Sequence, residues 1–249
     1  MTTSLADFLI SISTKTVNNV IEFGEIKTLL SIDEELPGNW ELTLPEKSNL
    51  KLYILSGNME NLLNINWRIV QKNNSSLEIF WVLNNSLTTE VSLAIEVFDS
   101  CQTILNTLIL ARDSSNFSLN MKIIHLGKKS VSKQFSKTVL EDNSVIKLTQ
   151  EIEIAKNTKN NMANLTNKNL ILSSQAALST KPILKIKSKE VECGHEASSL
   201  ILEENELFYF QTRGFTKKEA LHLTKVGFLN EFVSKIDLIC FKDKVLASI

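Results

Sequence analysis

Glycine, proline and cysteine are all scarce in this chain, with 7 Gly, 3 Pro and 3 Cys among 249 residues. So few glycines argue against the glycine-rich loops that cradle phosphates, which need close backbone approach. They also leave tight turns to Asn and Asp, which tolerate left-handed backbone better than most residues. The cysteines, Cys101, Cys193 and Cys240, form no CxxC pair and no even-numbered framework. That spacing excludes a disulfide scaffold and points to a reducing, cytoplasmic setting. Neither charge sign dominates: 27 Lys and Arg face 28 Asp and Glu, for a net charge of -1. The basic field that a nucleic-acid binder needs is absent. No run approaches the roughly 20 apolar residues of a membrane span. The first residues lack the basic and apolar regions of a signal peptide. GxSxG, HExxH and P-loop motifs are missing too, so the reading is of a non-enzyme.

What is present is globular: 43% apolar and 22% charged residues. These values suit a chain with a real core. Ser4–Ile12 reads as a short amphipathic helix and the stretch around Glu25–Ile32 as a second short element. Pro37-Gly38 punctuates the boundary, giving a segment over 1–38, a β core over 39–200 and a helical module over 201–249.

From about residue 40 to 190 the period is two. Leu77, Ile79, Trp81 and Leu83 alternate with other residues, as do Val91, Leu93, Ile95 and Val97. Leu119, Met121 and Ile123 continue the pattern, followed by Ile146, Leu148, Ile152 and Ile154, then Leu184 and Ile186. Such runs are strands with one buried face. Turn compositions separate them, at Lys72 to Ser75, Asn84 to Ser86, Asp113 to Asn116 and Glu141 to Ser144. No helical pattern intervenes, so the residues leave sandwich, barrel and solenoid open. No clean repeat chooses among them.

After residue 200 the period changes. Glu203 to Arg213 reads as a helix with acids at its start, stopped by Gly214. Thr216 and Glu219 have the spacing of a capping box. Ala220, Leu223, Val226, Leu229, Phe232, Val233 and Ile236 then follow at helical spacing with a broad apolar face. Leu238 to Ile249 reads as one more short helix. Strands followed by helices suggest a separate docking module.

Three histidines are present: His125, His195 and His222. His125 at a strand end and His222 on a helix read as packing or surface residues. His195 lies in the string VECGHEA over 191–197, within reach of Cys193, Glu192 and Glu196. Cys193 and His195, two apart, share a face if the segment is a strand. Thiolate and imidazole are ligand types for zinc, copper and iron–sulfur clusters, yet two ligands do not close a site. The bland reading is a hydrogen-bonded histidine beside an inert cysteine.

Five strings then occur in order: NLILSS at 169–174, TKPILKI at 180–186, VECGHEA at 191–197, LFYFQTRGFTKKEA at 207–220 and GF at 227–228. This succession resembles the SufB/SufD family over roughly residues 145 to 236. The resemblance implies a right-handed parallel β-helix with a C-terminal helical domain. It implies a scaffold role in iron–sulfur cluster assembly, a SufB-like paralogue as pairing partner and a SufC-like ATPase docked on the terminal helices. No cofactor held stably by this chain is implied, only a transient cluster at a subunit interface. Phe208, Tyr209, Arg213, Gly214 and Phe228 become the partner-binding candidates, and His195, Cys193 and Glu196 the cluster-assembly or metal candidates. The Cys-x-His spacing looks like SufD, whose functional histidine falls at His195, whereas Glu196-Ala197 looks like SufB. Asn167 stands where SufB carries its functional cysteine. The part before the β core is shorter than the family's pattern, which lacks a match here for its long N-terminal helical domain. Two other functions compete: a β-solenoid interaction module without a cluster role, and a β-helix enzyme such as a polysaccharide lyase.

Overall fold

The computed structural model describes residues 27–32, 38–57, 63–84, 88–202 and 204–249. The helix read at Ser4–Ile12 lies outside them. Thirteen strands come first: β1 (Lys27–Ile32), β2 (Asn39–Leu44), β3 (Asn49–Gly57), β4 (Leu63–Gln71), β5 (Ser76–Asn84), β6 (Thr88–Val97), β7 (Gln102–Ala111), β8 (Asn116–His125), β9 (Val131–Leu140), β10 (Val145–Ile154), β11 (Asn161–Ile171), β12 (Ala177–Ile186) and β13 (Val191–Ile201). Helices α1 (Glu204–Thr212), α2 (Lys217–Val233) and α3 (Ile239–Ser248) follow. The element read near Glu25–Ile32 is β1.

Every pairing is parallel. Odd strands build one sheet in the order β1-β3-β5-β7-β9-β11-β13, and even strands the other, β12-β10-β8-β6-β4-β2. The chain therefore climbs by alternating between two sheets, which makes the fold a β-solenoid and resolves the choice the periodicity left open. Side chains stack in columns. Leu42, Ile69, Ile95, Ile123, Ile152 and Leu184 occupy matching positions in the even sheet. The first five of these are completely buried. Trp67 stacks on Trp81 across the interior with ring centroids 5.1 Å apart.

Coil length varies, which hides the repeat. Lys27 stands beside Leu50, Asn49 beside Ser76, Ser76 beside Gln102, Gln102 beside Val131 and Val145 beside Ala177, so the offset runs from 23 to 32 residues. The corners compensate. Lys47, Asn74, Ser100, Lys129 and Asn160 all have φ between 56° and 60° and follow one another up a single corner. Each donates its amide to the next coil, for example Asn74 to the Asp99 carbonyl at 2.8 Å and Ser100 to that of Lys128 at 2.8 Å. Asp113, Asp142 and Asn157 are left-handed as well. Scarce glycine is thus replaced partly by Asn and Asp, as their tolerance of this geometry predicts, and partly by Lys and Ser. Gly127 is required for a different reason: a Cβ there would lie 2.3 Å from the Asp99 amide nitrogen.

Helices α2 and α3 lie on the outer face of the odd sheet. Leu229, Phe232, Val233, Phe241 and Val245 pack there with Tyr53, Phe80, Leu108, Phe135 and Leu170 in one cluster. Polar pins border it. The Tyr53 hydroxyl donates to Asp237, Lys51 reaches the same carboxylate at 2.7 Å, and Lys225 meets Glu141 at 3.1 Å. Burial, then the bond to Asp237, raises the Tyr53 pKa. The broad apolar face read for this helix is mostly used: Ala220, Leu229, Phe232, Val233 and Ile236 are buried, but Leu223 and Val226 are exposed.

Candidate functional site

The last coil is open. Among the described residues, β12 and β13 are edges of their sheets, and each carries a row of peptide groups with no neighbouring strand on the outer side. Pro182 sits in β12, and an edge strand is where a residue without an N–H is tolerated. Ile186, Leu200 and Ile201 are exposed here. A stacked coil would cover them.

Register places the site residues. His195 pairs with Leu165, and the column continues through Gln134, Leu105, Ile79 and Leu52, all buried inside the solenoid. His195 is the last member of that column and is exposed because no coil lies beyond it. Cys193 is beside Ala163 on the same face, as the two-residue spacing predicts. It is partly buried against Ile152, Ile154, Ala163 and Leu165. That burial raises the thiol's pKa, opposed by a hydrogen bond with the Ala163 backbone. A thiol held protonated is a poor ligand and a poor nucleophile. Glu196 is one residue out of phase and belongs to the opposite face, beside Thr166. The strand therefore unites Cys193 and His195 and separates Glu196 from them. Among the described residues, no three His, Cys, Asp or Glu side chains gather as a metal site.

Polar side chains beneath this end were not foreseen. Asn167, 1% exposed, donates to Ser136 Oγ at 2.9 Å and Gln150 Oε1 at 3.0 Å. Asn169 donates to Asn167 Oδ1 at 2.6 Å, and Thr138 to Asn169 Oδ1 at 2.7 Å. His125 is fully buried, with Nε2 2.8 Å from Ser132 Oγ, and burial lowers its pKa to about 4. The signal was available: Ser132, Gln134, Ser136 and Thr138 occupy alternate positions of β9, the same parity that elsewhere marks the interior.

The second group lies on the helices. Phe208 and Tyr209, on α1, are 65% and 57% exposed. Gly214 ends α1 with φ 89°. Its amide donates to the Gln211 carbonyl at 3.0 Å and that of Phe215 to Phe210 at 3.2 Å, a Schellman stop. Arg213 lies over the Tyr209 ring, 5.4 Å from its centroid. The capping box at the start of α2 is formed: Glu219 N–H donates to Thr216 Oγ1 at 3.2 Å and Thr216 N–H to Glu219 Oε2 at 2.8 Å. Phe228 differs from Phe208 and Tyr209. It is partly buried and holds the Lys137 ammonium over its ring, 4.3 Å from the centroid. Phe208 and Tyr209 thus face outward with Phe215, Leu223 and Val226, and Phe228 anchors α2 to the sheet.

Residues 9–228 match the family described as "SUF system FeS cluster assembly, SufBD core domain". The chain belongs to the SufBD family. It is 28% identical to an iron-sulfur cluster assembly SufBD family protein of Synechocystis over 53% of this chain and 29% of that one. It is 28% identical to iron-sulfur cluster assembly protein SufD of Escherichia coli over 47% of this chain and 28% of SufD. It is 22% identical to iron-sulfur cluster assembly protein SufB of Bacillus subtilis over 69% of this chain and 37% of SufB. The chain spans about 30–40% of the length of these SufBD relatives. The family match also begins well before residue 145, where the resemblance read from the sequence starts. No helix among the described residues is long and apolar enough to cross a membrane.

Proposed function

We propose that this SufBD-family chain, whose family works in iron–sulfur cluster assembly, is a SufD-type scaffold subunit that turns over no substrate itself. Its uncovered last coil pairs with a SufB-like subunit, and the outward face of α1 and α2 docks a SufC-like ATPase. The observation that carries this reading is the open end itself. Two edge strands expose peptide groups and apolar side chains together, and a partner's strands satisfy both at once. His195 then lies at the joint, where the partner supplies the remaining ligands to a cluster that is cargo. The cytoplasm is the compartment that suits this chemistry. Phe208, Tyr209, Phe215, Leu223 and Val226 form a second uncovered apolar surface, of the kind that marks a protein contact.

The test is co-expression of tagged chain with a SufB-like paralogue and a SufC-like ATPase, followed by affinity capture. Replacing Phe208 and Tyr209 with Ser is expected to release the ATPase and keep the paralogue. His195→Ala is expected to leave both bound while cluster delivery in cells falls sharply. Failure of the unaltered chain to capture either partner defeats the proposal. Intact cluster delivery by His195→Ala defeats the role given to that residue.

A further inference from the structure

A second recess lies on the odd sheet, away from the inner face that carries Cys193 and His195. It is a cleft of about 390 Å³ between the outer face of β9, β11 and β13 and the end of α2. That volume falls in the range of small-ligand sites. Lys133, Asn164, Thr166, Lys168, Glu196 and Lys235 are among its lining residues.

Three lysines, Lys133, Lys168 and Lys235, and three glutamates, Glu78, Glu196 and Glu231, line it, but their ion pairs are unevenly spread. Glu231 is committed to Lys137 at 2.9 Å and Lys168 at 3.3 Å, and Glu78 to Lys51 at 3.0 Å. Among the described residues, neither Lys133 nor Lys235 has a carboxylate within 4 Å. Lys235 instead rests over the Phe135 ring, 3.3 Å from its centroid. Burial lowers the Lys235 pKa, Glu231 opposes this, and Lys137, Lys168 and Lys133 push it further down. Lys133 and Lys235 thus line the recess outside any ion pair, with Lys168 and the buried Lys137 near Lys235, and Glu196 is the one lining carboxylate among the described residues that no ion pair holds. An anion placed among the lysines relieves their mutual repulsion, and the side-chain amide and hydroxyl of Asn164 and Thr166 add hydrogen-bond donors.

We propose that this cleft binds a small polyanion, a phosphate ester or a polycarboxylate, held by Lys133 and Lys235 with Lys168 beside them. The recess is too small for a folded partner. Two walls, one of sheet and one of helix, close around it, as they do around a ligand the size of a diphosphate. Glu196, which the strand turns away from His195, sits on its rim and opposes the anion.

Titration calorimetry and thermal shift on the full chain decide the matter, with pyrophosphate and citrate as probes at constant ionic strength. Saturable binding of at least one probe is expected, and the preferred probe distinguishes the two anion classes. Lys133→Gln and Lys235→Gln should each weaken it by about tenfold, as expected for loss of a charge-assisted contact. Glu196→Gln should tighten it, a change that a merely destabilising substitution does not produce. Lys147→Gln on the other sheet removes the same net charge and should leave affinity unchanged. No saturable binding by either probe overturns the proposal. So does parent-like affinity in both lysine variants, or an equal loss in Lys147→Gln.

Discussion

The lower and upper coils share one backbone plan and differ in what fills it. Around β2 to β7 the interior is mostly hydrocarbon: Leu42, Ile69, Trp67, Trp81, Ile95 and Leu105 share one cluster, and the buried polar contacts include Thr103 to Gln71 at 2.5 Å. Around β8 to β11 hydroxyls and amides enter the same columns, so that Gln134 replaces Leu105 one coil on and Gln150 follows Met121. The parallel ladder accepts either filling because its hydrogen bonds run between coils and do not involve the interior. Stability therefore concentrates in the lower coils. The upper coils carry a partly satisfied and costlier network toward the open end, where His195 stands: among the described residues His125 Nδ1, Gln134 Oε1 and Gln150 Nε2 are buried without a hydrogen-bond partner.

Three measurements sharpen or break this contrast. The largest effect belongs to Trp81, which is fully buried, stacked on Trp67 and bonded through Nε1 to Ser56 Oγ at 3.2 Å. Trp81→Ala should cost about 3–5 kcal/mol in urea denaturation, from lost burial and the cavity left behind. A cost under about 1 kcal/mol would mean that the lower interior is not where stability lies.

His125 comes next. Its pKa in the folded chain is about 4, against an ordinary 6.5, because burial disfavours the charged imidazole. Between those values the unfolded chain binds a proton that the folded chain refuses, so stability falls as pH falls. From pH 7.5 to 5 the loss should be about 2 kcal/mol, with no change from this group above pH 7.5. His125→Gln should flatten the slope between pH 7 and 5. The carboxylates act lower: Lys122 and then Lys187 hold Glu153 down to about 2, so its contribution is lost only as pH drops below the usual carboxylate range. The smallest effect is that of Ser136, whose hydroxyl lies 2.9 Å from both Asn167 Nδ2 and Gln150 Oε1. Ser136→Ala should cost about 1 kcal/mol, because Asn167 keeps its bond to Gln150. A loss like that of Trp81→Ala would show the polar network to be as central as the hydrocarbon core.

Much of the fold was legible in the sequence, and the gaps have physical causes. Alternation marked β6, β8 and β10, whose outer faces meet solvent or carry charge, such as Lys122 between Glu151 and Glu153, and it marked the inner face of β5 although Phe80 and Val82 on its outer face are buried under the helices. It passed over β7, where Leu105, Leu108, Ile109 and Leu110 are all buried because helices cover the outer face. Helix caps were legible because Thr216, Glu219 and Gly214 act within one turn. The pairing of Cys193 with His195 followed from strand parity, and the same parity separates Glu196 from them. The lysine cleft was not legible. It joins the outer face of the odd sheet to the end of α2, and no local pattern reports that Lys133 and Lys235, about a hundred residues apart, line one recess.

The unequal coils have a consequence for how the chain finds its fold. In a strictly periodic solenoid a coil sits nearly as well on the wrong neighbour as on the right one, and stacking errors resemble the correct product. Here neighbouring offsets differ, from 23 residues between β1 and β3 to 32 between β10 and β12. A coil displaced by one place would bring its corner and its strand out of step together. Irregular length thus works as an address, giving each layer of the stack one place in which both sheets and the corner agree.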